Sequence, residues 1–378
     1  MVAFPFERDL LVVLVLYLIF TLTYSLTVPL WEAPDEPSHY LTALDYAAQP
    51  VPPIPSDSVR KGSVWNESYL YSSYQRFQAP LYYPAAAAVI KFGTVFTLLK
   101  KYKTVLPPIR PGFNRSGRLF LHERKDPWPI PGGDLSGHFL RLFSIVFGAG
   151  AVALIYGIGR KIAPLRREVA FLAAGLAALN PQFNFITGVI GNDPLAIFLA
   201  TAALFWMVER MGITYTPSPL SCLGGGLLIA LALMAKFNCV FLLPTAAVFV
   251  FWKIGEGGVK RLRLLLIFLF PVLIPAGALL LMPQASIIRF EVLYHRLVGV
   301  NQGLISGSSL GYAIKTLFQS FWAYFGWMSI PVGSGLYLFW GVICLAGLAG
   351  YLPLPTQRRV RPLQSRTRPL LLLPLVSL

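Results

Sequence analysis

The chain has 378 residues, of which 56% are hydrophobic and only 13% charged, against about 25% charged residues in soluble domains. That shortfall excludes a string of soluble domains and points to a surface that faces lipid. The net charge of +16 would suit nucleic acid in a soluble protein. Here many basic residues sit in short loops beside apolar stretches, where they set topology, so anionic membrane lipids rather than nucleic acid are the expected partners.

In chain order, the first apolar stretch runs from about Leu10 to Leu30 behind Arg8. It has no convincing small-residue cleavage site and reads as an uncleaved signal anchor. A long polar segment of roughly 31–136 follows, rich in Pro and Tyr and interrupted by one apolar stretch, Ala79–Leu99. That stretch carries Lys91 near its middle and Pro84 in its first turns. A mid-bilayer lysine costs at least about 2.5–3.5 kcal/mol, so an interfacial or re-entrant helix is expected rather than a span.

Further spans are predicted near His138–Gly159, Val169–Ile190, Pro194–Val208, Leu220–Ala235, Phe237–Trp252, Leu264–Met282 and Val332–Tyr351. With the first they give an all-α, polytopic bundle of about eight spans. Residues 1–352 are expected to form one transmembrane domain, with a second outer loop over about 284–331. The remainder, 353–378, reads as a basic loop and an incomplete final span, because Pro369–Leu378 is too short to cross; the C-terminus is expected to be truncated. With Ala79–Leu99 outside the membrane, Arg160-Lys161, Arg166-Arg167, Arg210, Lys253, Lys260-Arg261-Arg263 and Arg358-Arg359-Arg361 all fall on the side of Arg8. This satisfies the positive-inside rule at every short loop. It puts the N-terminus in the cytoplasm and Asp35-Glu36 and Asn192-Asp193 together on the outer face of the plasma (inner) membrane. The basic loop Lys100–Lys125 is the exception, and long loops obey the rule poorly.

Four constellations can carry chemistry. Asp35 and Glu36 lie between prolines just after the first span, with His39 one helical turn on. The bland alternative is a capped interfacial helix with solvated charges. Asn192-Asp193-Pro194 is a tight turn between two spans, either a simple turn or a second acidic site. Lys236 ends a span and either snorkels or meets an anion. Trp322 leads an aromatic run, Phe321-Trp322-Ala323-Tyr324-Phe325-Gly326-Trp327, either an interfacial belt or a platform for a sugar or isoprenoid. Arg289, His295 and Arg296 share the outer loop upstream and are suited to phosphate. Cys222, Cys239 and Cys344 lie in apolar segments without metal spacing. The glycines at 148, 150, 157 and 224–226 read as helix-packing positions.

Pro34-Asp35-Glu36-Pro37 with His39, after a first span, resembles the first outer loop of GT-C-type membrane glycosyltransferases, the protein mannosyltransferases and aminoarabinose transferases among them. Gln78-Ala79-Pro80-Leu81-Tyr82-Tyr83 is similar to their "PPLYY" segment, and Arg141-Leu142-Phe143-Ser144 to the "RLPS" that opens their next span. Asn192-Asp193 resembles their second acidic site, and Lys236 their span-end lysine. The aromatic block resembles a later motif of an uncharacterised bacterial branch. The resemblance implies a GT-C-like fold and a sugar donor carried on a polyprenyl phosphate.

Such a donor brings its own leaving group, so one carboxylate suffices as base, unlike the two-carboxylate scheme of glycosidases. The resemblance implies Asp35 and Glu36 as catalytic. It implies His39, Asp193, Lys236, Arg289, Arg296 and Trp322 as substrate-binding. A divalent metal on Asp35, Glu36, His39 and Asp193 is an alternative charge partner, Mg²⁺ or Mn²⁺ by donor type. A polysaccharide or lipid transporter, or a non-catalytic scaffold of envelope biogenesis, is the competing class.

Overall fold

A computed structural model describes residues 7–48, 75, 78–95, 135–210, 218–253, 258–281, 307–326 and 329–350. Arg289, His295, Arg296, the loop Lys100–Lys125 and the C-terminal run Pro369–Leu378 lie outside the described residues. The described chain is helical, apart from a ladder of two short strands, β1 (Tyr324–Phe325) and β2 (Ile330–Pro331).

Helix α1 (Arg8–Thr27) is apolar on every side and buries only a narrow stripe, Val13, Tyr17, Thr21 and Ser25. The rest of its surface, including Leu11, Ile19 and Phe20, stays exposed, as lipid contact requires. Helix α2 (Glu36–Ala48) is more polar and packs against α3 (Tyr82–Val95). At 14 residues, α3 is about 21 Å long, short of a hydrocarbon core of about 30 Å. Lys91 is exposed on it.

Helix α4 (Leu135–Ile162) is the longest, at 28 residues, and it is the centre of the bundle. It contacts α1, α3, α5 (Arg167–Ala178), α6 (Pro181–Thr187) and α7 (Asp193–Glu209). Helix α8 (Pro219–Ala235) packs on α7 and on α10 (Gly258–Leu281), with a 3₁₀ turn Phe237–Phe241 and α9 (Leu242–Lys253) between. Gly226 makes the α8–α10 approach possible, since a Cβ there would sit 2.0 Å from the Phe268 carbonyl oxygen. Helices α11 (Gly307–Trp322) and α12 (Ser334–Ala349) flank the strands.

The stretch Val169–Ile190 is not one straight span. Helices α5 and α6 meet at a bend of 63°. Pro181 opens α6 and Asn180 caps it by accepting from the Phe183 amide at 2.9 Å. The amide of Asn184 donates to the Ala178 and Asn180 carbonyls at 2.8 and 2.9 Å, so backbone acceptors freed by the break remain paired. Thr21 and Tyr17 on α1 hold this corner through Asn184 (2.5 Å) and Thr187 (3.0 Å). Among the described residues two helices, α1 and α4, are long and apolar enough to cross a membrane, or three crossings if the bent α5–α6 pair is one. The protein is therefore a multi-pass membrane protein.

Candidate functional site

The site gathers at one end of the bundle, where α1 ends, α2 begins, α6 hands over to α7 and α8 ends. Its anchor is Arg141, in the second turn of α4 and fully buried. Nε and Nη2 of Arg141 each donate to Glu36 at 2.7 Å. Nη1 donates to the Ser25 and Val28 carbonyls at 2.6 and 2.7 Å, and Nη2 to that of Pro29 at 3.1 Å. All five guanidinium N–H groups are thereby used. Two of those acceptors lie at the end of α1, where helix carbonyls otherwise go unpaired.

Glu36 is equally committed. Its Oε1 also accepts from the Ile190 amide at 3.0 Å, and its Oε2 from the Trp31 amide at 2.9 Å. Both side chains of the pair are 0% exposed. Such a pair is costly to desolvate and holds only because every donor and acceptor is met. It clamps four pieces of chain: the end of α1, the loop 28–35, the start of α2 and the turn before α7. With both oxygens filled, Glu36 has no acceptor left for a substrate proton.

The clamp fixes an unusual backbone. Trp31 and Asp35 have φ of 76° and 60°, a left-handed conformation that disfavours bulky residues. Trp31 is held there by the bond to Glu36 and by its ring against Tyr40, with centroids 4.7 Å apart. Asp tolerates this region better. Asp35 thus sits on the last step before α2, its carbonyl accepting from the His39 amide at 2.9 Å. It is only half-buried, beside fully buried Glu36.

His39 is buried, its ring stacked on Tyr83 and its Nδ1 3.1 Å from the Tyr83 hydroxyl. Burial pushes its pKa down to about 4, against the opposing pull of Asp35. Lys236, Asp193 and Glu36 also bear electrostatically on this ring. His39 is therefore neutral at pH 7 and contributes no cation.

Across from it, Asp193 lies in the first turn of α7. Its carboxylate does not cap the helix; Oδ1 instead meets Lys236 Nζ at 2.5 Å, with the side chains 40% and 23% exposed. The pair faces solvent enough to be reached by a ligand. Lys236 ends α8 with an extended backbone. Asn192 stitches the turn in place, donating to the Gln78 side chain at 2.7 Å and the Ala235 carbonyl at 3.2 Å. The Leu81 amide donates to the Met234 carbonyl at 2.9 Å. Segment 78–83, the α6–α7 turn and the end of α8 therefore converge around His39.

Trp322 is placed differently. Its ring is 7% exposed and stacks on Trp340 at 5.3 Å with planes 2° apart. The run after it docks on α6, with the Tyr324 amide donating to Gln182 at 2.8 Å and Asn180 donating to the Phe321 carbonyl at 3.1 Å. Phe325 reaches the cluster of Ala33, Phe185 and Val189 that backs the Asp35 loop. Trp322 itself has both faces in packing rather than open to a ligand.

The residue that motif reasoning passed over is Arg141, which entered only as part of a tetrapeptide. Its signal was present: an arginine inside an apolar span has to find a buried partner. As for a metal, no group of three or more His, Cys, Asp or Glu gathers to hold one among the described residues. Glu36 is consumed by Arg141, and Asp193 is shared with Lys236.

A helical membrane bundle with a half-buried carboxylate and a reachable ion pair at one end defines the class. Residues 129–290 match the family model described as dolichyl-phosphate-mannose-protein mannosyltransferase. Over those residues the chain is similar to that family. Among solved structures, the chain is similar to the S. cerevisiae protein O-mannosyltransferase Pmt1-Pmt2 complex bound to the sugar donor. Identity is 18%, with 78% of this chain and 34% of that chain covered and a TM-score of 0.45. The chain thus spans about a third of the length of that relative. None of the curated proteins matches.

Proposed function

We propose that this protein transfers a sugar from a polyprenyl-phosphate donor to a hydroxyl-bearing glycan, lipid or protein acceptor on the outer face of the plasma membrane. The observation that carries the reading is the division of labour within the acidic motif. Glu36 is locked to Arg141, while Asp35, one residue away, is presented at the rim within electrostatic reach of His39, as are Asp193 and Lys236.

In this reading Asp35 takes the proton of the acceptor hydroxyl. The acceptor oxygen bonds to the anomeric carbon as the bond from that carbon to the phosphate oxygen breaks. The electron pair leaves with the polyprenyl phosphate. Lys236, shared with Asp193 in the resting state, stabilises the charge on that phosphate. Glu36 is a positioning residue, not a second base. His39 and Tyr83 shape the pocket as neutral groups. Arg289 and Arg296 are proposed phosphate contacts from the outer loop.

About eight crossings fit the helices if α5–α6, α7, α8, the 3₁₀ turn with α9, α10 and α12 each traverse the membrane with α1 and α4. The distribution of charge supports an outward-facing site. Arg8, Arg160, Lys161, Arg166, Arg167 and Arg210 all lie at the opposite end of the bundle, as the positive-inside rule requires of a cytoplasmic face. A site at one end, rather than at mid-bundle, favours transfer over transport.

The test is mass spectrometry of envelope glycolipids and glycans from the native host, comparing wild type, a deletion and Asp35→Asn. The expected result is that both mutants accumulate one polyprenyl-phosphate sugar and lose one glycan residue. A wild-type profile from Asp35→Asn alongside a changed deletion strain would remove Asp35 as the base.

A further inference from the structure

The aromatic run at the end of α11 has no part in the transfer chemistry above, yet it is anchored on two sides. On one side is α12. Trp322 stacks on Trp340. The Tyr337 hydroxyl donates to the Ala323 carbonyl and accepts from the Val332 amide at 3.2 Å, which bridges the two ends of the β1–β2 ladder. On the other side is α6, where Asn180 donates to the Phe321 carbonyl at 3.1 Å and Gln182 accepts from the Tyr324 amide at 2.8 Å. Backbone groups are thus fixed on both sides of strand β1.

What this anchorage delivers is the side chain of Phe325. Its ring centroid lies 5.6 Å from that of Tyr24, in the last turn of α1, and 5.4 Å from that of Phe185 on α6. Tyr24 and Phe185 themselves meet edge to face at 6.2 Å. These three rings share a cluster with Val28, Val189 and Ala33, and Ala33 is 0% exposed.

The loop 28–35 is therefore gripped from two directions. Arg141 and Glu36 bind its backbone at Val28, Pro29 and Trp31. The aromatic cluster takes Ala33, two residues before Asp35. Asp35 has a φ of 60°, a conformation that persists where the surroundings enforce it. The polar clamp sets the start of the loop, and apolar packing sets the part next to the carboxylate.

We infer that Phe325 is a positioning residue for transfer: held on a strand pinned between α6 and α12, it wedges against the Tyr24–Phe185–Ala33 cluster and fixes where the Asp35 carboxylate stands. This rests on the reading of Asp35 as the base, and it gives the aromatic run a task other than binding sugar or isoprenoid directly. Displacing a reacting group by about 1 Å costs on the order of 10²-fold in rate, even when the cause is remote. Truncating Phe325 opens a gap that its neighbours fill only in part, and the cluster under the Asp35 loop is its wall.

Two readouts on the intact chain test this. The first is hydrogen–deuterium exchange of the purified protein, which needs no substrate. Phe325→Ala should speed exchange over residues 30–36 and leave α7 as in wild type. The second is the glycan profile of the host carrying each variant, per molecule of folded protein. Phe325→Ala should lower transfer by about 10²-fold. Phe325→Leu, which refills the gap with apolar volume, should recover most of both the transfer and the protection. Phe249→Ala controls for lost packing alone. Phe249 is 3% exposed and packs against Trp206, far along α7 from Asp193, so its variant should lose stability and keep both readouts in the folded fraction. Unchanged exchange over residues 30–36 in Phe325→Ala overturns the inference, as does faster exchange with undiminished transfer. An equal loss of transfer in Phe249→Ala also overturns it, by making the effect one of general stability. Identical glycan profiles in wild type and deletion strains overturn the transferase reading instead, and the exchange result alone then upholds or overturns Phe325 as the residue that holds the loop.

Discussion

The two ends of the bundle carry the same residue types and use them in opposite ways. At the basic end, ion pairs such as Lys161–Glu209 are 34% and 38% exposed and lie where water screens them. At the other end, Arg141–Glu36 is 0% exposed on both sides. Exposed pairs contribute about 0–1 kcal/mol, whereas a buried pair broken on one side costs about 3–5 kcal/mol. Charge at the basic end stays in contact with solvent. At the site end it fixes backbone geometry, and the catalytic reading depends on that geometry.

The sharpest way to break this contrast is Arg141→Leu. It leaves Glu36 buried and uncompensated, and should lower stability by about 3–5 kcal/mol. The loss would appear as a collapse of monodisperse protein on size exclusion and a lower midpoint in a thermal scan. Restoring a mutually apolar pair with Arg141→Leu and Glu36→Leu together should recover part of the stability but not transfer. That outcome separates positioning from folding.

Asp35→Asn should keep the wild-type melting midpoint and lose transfer by about 10²–10⁴-fold, the usual contribution of a positioned base. If both properties fell together, Asp35 would belong with the clamp. Lys236→Gln should act on the leaving group and lower turnover by about 10²-fold, with a smaller change in the acceptor KM than in turnover.

The His39 effect is milder. Its folded pKa of about 4 lies below the ordinary value of 6.5. The stability it supports is present above pH 6.5 and lost as pH falls through about 4, because the unfolded chain takes up the proton first. Melting midpoints measured from pH 7.5 to 4 should decline across that window, and His39→Gln should flatten the decline. The smallest effect belongs to the basic end: Lys161→Ala should change the midpoint by an amount equivalent to less than about 1 kcal/mol.

Much of this was legible in the linear chain, but unevenly. The helices around Leu10–Leu30, His138–Gly159 and Leu220–Ala235 follow from runs of apolar residues alone. The bend within Val169–Ile190 was also written there, as Asn180-Pro181, yet apolarity on both sides masked it. The side-chain amide of Asn184 satisfies carbonyls the break exposes, and Thr21 and Tyr17, from another helix, hold Asn184 and Thr187 in place. Trp322 read as a surface aromatic because its partner Trp340 is 18 positions on, in a different helix.

By itself the sequence determined that the protein is a membrane bundle, which end of it is basic, and that Asp35, Glu36, His39, Asp193 and Lys236 are its unusual polar residues. These are properties of composition and local order, and a lipid solvent makes any polar residue stand out. Only the tertiary structure decided that Asp35 and Glu36 have different surroundings. The two are adjacent and chemically alike, so nothing local separates them. The difference lies in Arg141, 105 residues from Glu36, whose guanidinium takes one carboxylate wholly into the core and leaves the other at the rim.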